Sequence, residues 1–127
     1  MSLPANARPV AFILTRDRAA ALPFYRDVLG LTLRGQNEYS ADFDARGLDL
    51  RLTTVGDHVA SPHPVLAFQV DDIIVASRAL AAKGVTFADY PGMTEGEFSI
   101  WASLDGKTKL NWFADPDGNM LGLSQEG

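Results

Sequence analysis

The chain has 127 residues, 46% of them hydrophobic, enough to bury about two thirds of its unfolded surface; it has no cysteine, which excludes disulfides, a thiolate nucleophile and Cys-ligated zinc. A net charge of −5 without a basic cluster argues against nucleic acid and anionic membranes as partners and favours neutral or cationic small ligands. No apolar run approaches the roughly 18 residues of a membrane span, and "MSLPANARPV" lacks the features of a signal peptide, so a cytoplasmic protein is expected.

"PVAFILT" (9–15) is a β-branched, apolar run suited to a buried strand. Asp17 offers an N-cap to "RAAALPFYRDVL", which places Ala21, Phe24 and Val28 on one helical face with Tyr25 and Leu29 beside it, and Gly30 closes the helix. Pro23 inside that segment predicts a kink or a late start near Ala20 or Ala21. Strands follow at about 31–35, 39–45 and 48–55, the last alternating Leu48, Leu50 and Leu52 with Asp49, Arg51 and Thr53. "GDHVASPHP" (56–64) reads as a linker, in which His58 and His63 are solvent-facing loop residues beside prolines.

The pattern then restarts. "PVLAFQVDD" (64–72) echoes "PVAFILTRD" (9–17), with proline and aspartate eight residues apart in each. The helix "DIIVASRALAAKG" follows, and "KGVTFAD" (83–89) matches "LGLTLRG" (29–35), which predicts a strand there. The loop "YPGMTEGE", the aromatic "FSIWA", a hairpin signal at "LDGKTK" and the strands "KLNWFA" and "NMLGLSQ" complete the chain. One domain over 1–127 is expected, with module 1 at about 8–56, module 2 at about 64–125 and a 57–63 linker.

Four phrases, "FYRDVLGL", "AFQVDDI", "LAAKGVTF" and "FADPDGNMLGL", in order across 9–125, resemble the vicinal oxygen chelate superfamily of glyoxalase I, extradiol dioxygenases, fosfomycin-modifying enzymes and bleomycin-resistance proteins. The resemblance implies an α+β fold of two βαβββ modules, each curling a mixed sheet around a cavity, with modules paired in a homodimer. Enzymes of this family hold a divalent metal through His and Glu side chains on equivalent strands. Carried over position by position, the ligands fall on Val10, Arg51, Val65 and Gly122. Two valines and a glycine offer no donor, and arginine repels a cation, so neither metal nor other cofactor is expected.

Alternation along the strands then assigns faces. Phe12 and Leu14 accompany Val10, Asp49 and Thr53 flank Arg51, Ala67 and Gln69 accompany Val65, and Met120 and Ser124 flank Gly122 on the cavity side. Ala11, Ile13, Leu48, Leu50, Leu52, Leu66, Phe68, Leu121 and Leu123 pack under the helices. Gly122 is expected to enlarge the pocket floor. The ligand-binding candidates are Phe12, Asp49, Arg51, Gln69, Trp101 and Met120, a pocket with a few orienting polar groups.

Plainer readings stand beside these. Arg51 has an ion pair with Asp49, Glu38 or Asp42 as its alternative role; Trp101 and Trp112, with Phe98 and Phe113, have core or interface packing as theirs, and Tyr39 and Tyr90 are weaker candidates. Asp71, Asp72, Asp115 and Asp117 read as cap and turn residues, and no catalytic residue is assigned. The function expected is metal-independent binding or sequestration of a small organic molecule, in the manner of bleomycin-resistance proteins. The alternatives are a glyoxalase-like lyase or isomerase, or a dioxygenase-like enzyme, with a non-standard site, and a structural or regulatory dimer with a filled cavity.

Overall fold

The computed structural model describes residues 2–127. The chain divides into two compact units, one ending at His58 and one beginning at Val59, within the expected linker.

In the first unit, β1 (Val10–Thr15), β2 (Thr32–Gln36), β3 (Ser40–Asp44) and β4 (Asp49–Thr54) form one sheet in the order β1-β4-β3-β2, with β1 parallel to β4 and the other pairs antiparallel. Between β1 and β2 runs helix α1 (Arg18–Pro23), continued by a π-helical segment, Phe24–Val28. The Asp17 side chain accepts from the Ala19 amide, so the helix starts at Arg18 and not near Ala20 or Ala21. Pro23 has no N–H to donate, and the chain widens directly after it, the Leu29 amide reaching the Phe24 carbonyl at 3.0 Å. The helix therefore absorbs the proline by a change of pitch.

Leu50 and Leu52 are fully buried while Asp49, Arg51 and Thr53 are not, as the alternation requires. Each such leucine contributes about 1.5–3 kcal/mol by leaving water. Ile13, Ala21, Tyr25 and Phe43 complete this core, with the Tyr25 ring 6.2 Å from that of Phe43.

In the second unit, β5 (Pro64–Gln69), β6 (Trp101–Ala102), β7 (Lys109–Ala114) and β8 (Met120–Gln125) form a sheet in the order β5-β8-β7-β6, again with its first strand parallel to its last. Helix α2 (Ile73–Ala81) is capped by Asp72, which accepts from the Ile74 and Val75 amides, and Gln125 Oε1 accepts from Ile73 N at 2.8 Å. Both units are thus βαβββ modules with unclosed mixed sheets, an α+β architecture.

The strand expected over 83–89 is not formed. Phe87 alone bridges to Phe113, and the chain leaves the edge of β7 and returns to it as β6, where Trp101 pairs with Leu110. Asp89 and Pro91 are poor strand residues, and the excursion is held by its own bonds: Thr94 Oγ1 donates to Asp89 Oδ1 at 2.8 Å and accepts from the Tyr90 amide at 2.9 Å. Phe87 keeps its place in the core, edge to face with Phe98 and Phe113.

Candidate functional site

On the open face of the first sheet, three cross-strand rows follow from the register: Val10, Asp49 and Asp44; Phe12, Arg51 and Asp42; Leu14, Thr53 and Ser40. The candidates Phe12, Asp49 and Arg51 are therefore brought together. Asp49 and Asp44 lie directly opposite one another, an unfavourable placement of like charges. Arg34 resolves it. A bulge between Leu33 and Gly35 sets Arg34 out of the ladder, and its guanidinium reaches Asp49 Oδ1 at 2.9 Å and Asp44 Oδ2 at 3.4 Å. The Gly47 amide, bonded to Asp44 Oδ1 at 2.8 Å, and after it the Arg34 charge, hold the Asp44 carboxyl below the ordinary carboxylate range.

With Asp49 engaged by Arg34, the expected alternative of an Arg51 ion pair is not realised. Among the described residues Arg51 forms no salt bridge with Asp49, Glu38 or Asp42. Its guanidinium lies 5.8 Å from the ring centroid of Phe12, a residue that is 59% exposed. Asp42, across the ladder from Arg51, accepts the Ser40 hydroxyl at 3.0 Å. Arg34, Gly35, Asp42, Asp49 and Arg51 wall a depression of about 230 Å³, underlain by Phe43 and Leu50. Arg34 was missed by sequence reasoning, because nothing local marks a bulge.

The open face of the second sheet carries the other candidates. Gln69, Ser124, Leu110 and Trp101 form one row, Ala67, Gly122 and Trp112 the next, and Met120 and Ala114 a third. Gln69 is exposed, while Trp101 and Met120 are half-buried. Gly122 does not enlarge a pocket floor, contrary to expectation. A methyl group there would sit 2.9 Å from the Asn111 carbonyl oxygen and 3.4 Å from Trp112 Cδ1, so the indole already covers the glycine. Tyr90 packs edge to face against that indole at 5.6 Å. Phe98 and Phe113 are core residues, and Tyr39 is exposed.

The four positions that the resemblance assigns to metal ligands can be tested on this register. Arg51 lies opposite Phe12 and Gly122 opposite Ala67, which stand two residues after Val10 and Val65 respectively, so the two modules place Arg51 and Gly122 equivalently. Val10, Val65 and Gly122 present no donor, and Arg51 presents a fixed positive charge. Of the carboxylates nearest in register, Asp49, opposite Val10, is bound by Arg34, and Asp42, opposite Arg51, accepts the Ser40 hydroxyl. Among the described residues no group of three or more His, Asp or Glu could hold an ion. His63 is exposed with Nδ1 3.3 Å from the Pro64 carbonyl oxygen, Asp72 caps α2, and Asp115 accepts from the Asp117 and Asn119 amides in the "DPDGN" turn. The residues present do not fit a divalent metal.

The family model described as Glyoxalase/Bleomycin resistance protein/Dioxygenase superfamily matches residues 8–123. The chain belongs to this superfamily. Among solved structures it resembles a superfamily member from Sphaerobacter thermophilus at 24% identity, covering 94% of this chain and 97% of that one with a TM-score of 0.70. A lactoylglutathione lyase from Agrobacterium tumefaciens follows at 18% identity, 96% and 95% coverage and a TM-score of 0.70. A genomically encoded fosfomycin resistance protein from Listeria monocytogenes superposes with a TM-score of 0.75 at 12% identity, with 98% and 96% coverage. At such identities the likeness carries the fold and not the chemistry. No curated protein matches the chain. Among the described residues no helix is long and apolar enough to cross a membrane.

Proposed function

We propose that this superfamily member is a metal-independent, cytoplasmic binding protein, a homodimer that holds or sequesters a small organic molecule against the open face of its first sheet and uses no cofactor. The observation that supports it best is the pairing of a donor-free ligand set with a walled depression in which Arg51 is left without a carboxylate partner. A fixed guanidinium above an exposed ring orients an organic ligand without a metal.

The test is a broad thermal-shift screen of aromatic, zwitterionic and cationic metabolites and antibiotics, followed by calorimetry on hits. A ligand present at 100 times its Kd raises stability by about 2.7 kcal/mol, a readily measured shift. If no compound raises the Tm, the binding reading is lost. Then the structural or regulatory dimer, favoured at one point by the indole that fills the space over Gly122, takes its place.

A further inference from the structure

The open face of the first sheet carries two guanidiniums, Arg34 and Arg51, and three carboxylates, Asp42, Asp44 and Asp49, and the way they are shared out is unequal. Arg34 engages Asp44 and Asp49 together. Arg51 and Asp42 are left, directly opposite one another across β4 and β3, where side-chain carbons come within about 5 Å. Unlike charges so placed ordinarily close into an ion pair. Here they do not, because the Arg51 side chain is turned onto the Phe12 ring while one Asp42 oxygen is taken by the Ser40 hydroxyl. A positive and a negative group thus border the same depression without neutralising one another, and the exposed Phe12 lies against the positive one, next to the depression rather than in its lining.

We propose that the depression takes a small zwitterion, an α-amino acid or a molecule with that head group. The carboxylate is held by the planar donor fork of Arg51, the ammonium lies against Asp42, and the apolar remainder covers the exposed face of Phe12. A simple anion would meet Arg51 but also the Asp42 carboxylate. A simple cation would meet Asp42 but also the Arg51 guanidinium. A dipolar head group presents the matching sign to both, and the depression of about 230 Å³ has room for that head group while the side chain extends beyond it over Phe12. This deepens the binding reading above and rests on it.

The test is an NMR titration of the full chain at low ionic strength with L-phenylalanine and L-leucine, set against 3-phenylpropanoate, which lacks the ammonium, and phenethylamine, which lacks the carboxylate. Phenylalanine is expected to bind about fivefold or more tightly than either single-charge analogue, since a half-exposed ion pair is worth about that factor. Arg51→Gln should weaken phenylalanine by about that factor and should not weaken phenethylamine, whose ammonium is relieved of a like charge. Asp42→Asn should lower it to the level of 3-phenylpropanoate. Both substitutions are on the exposed or half-exposed face, and an unchanged Tm verifies that the variants fold. Equal binding of phenylalanine and 3-phenylpropanoate, indifference to Arg51→Gln, or silence of both amino acids up to tens of millimolar overturns the proposal. If uncharged organic compounds bind in the thermal-shift screen while the amino acids do not, only the zwitterion is lost; if nothing binds, the binding reading falls with it.

Discussion

Replacing Gly122 by alanine adds a single methyl group at a point of the second sheet that is already closely covered. The methyl carbon would lie 2.9 Å from the Asn111 carbonyl oxygen, closer than side-chain carbons are found to approach, and 3.4 Å from Trp112 Cδ1. The indole can tilt, but the carbonyl belongs to the β7 backbone paired with β8 and moves only with the sheet. Overpacking of this kind costs about 1–3 kcal/mol. Against it stands a gain of about 0.4–1 kcal/mol, because alanine has less freedom than glycine to lose from the unfolded chain, and Gly122 is in ordinary strand conformation that alanine can adopt. The net expectation is a destabilisation of about 0.5–2 kcal/mol, or roughly 2–8 °C in Tm for a chain of this size. Urea denaturation and calorimetry measure it, with Gly35→Ala as the control. That glycine has nothing within 4 Å of the added carbon, so its substitution should be neutral or mildly stabilising. An unchanged or raised Tm for Gly122→Ala, or an equal loss in both variants, would refute the picture of an indole seated on bare backbone.

Metal analysis of protein purified without chelator should find no stoichiometric Ni, Zn, Mn or Fe, and Gly122→Glu should not introduce binding, because the new side chain starts where the Asn111 carbonyl and Trp112 already sit; one equivalent of cavity-bound metal in either protein overturns the donor-set reading. Arg34→Ala leaves Asp44 and Asp49 facing one another and should lower the Tm by a few degrees at low salt, less at 1 M NaCl, where the charges are screened. The Asp44 carboxyl is held below its ordinary range, so its contribution is present above the unfolded carboxylate value of about 4 and is lost as the pH falls through the lower folded value; the Tm gap between wild type and Asp44→Asn should close on acidification and stay constant from pH 5 to 8. Ser77→Ala removes the shorter of two acceptors of the buried Asn111 Nδ2, Ser77 Oγ at 2.8 Å beside the Phe98 carbonyl at 3.3 Å, and should cost about 0.5–1.5 kcal/mol by denaturation.

Much of the architecture was legible in the chain. The echo of "PVAFILTRD" in "PVLAFQVDD" marked the duplicated module, Asp17 and Asp72 marked the helix starts, and the Leu50 and Leu52 alternation separated the core face from the open one. These are local signals, set by a period of two along a strand and by side chains that bond their own backbone. The identities of Val10, Arg51, Val65 and Gly122 were equally plain, and with them the loss of the donor set.

Tertiary structure decided what each of those positions touches. Whether Asp49 belongs to Arg51 or to Arg34 depends on a bulge that shifts one residue out of β2, and no neighbouring residue in the sequence announces it. Whether the edge of β7 is one strand or two depends on Thr94 closing a loop on Asp89 and Tyr90. The glycine between Leu121 and Leu123 shows the same division. Sequence fixes that Gly122 carries no ligand and leaves the leucines in the core, but only the pairing of β7 with β8 puts Trp112 directly across from it. Cross-strand neighbours are chosen by long-range register, so the space that a missing side chain leaves behind is filled by a residue that local pattern cannot name.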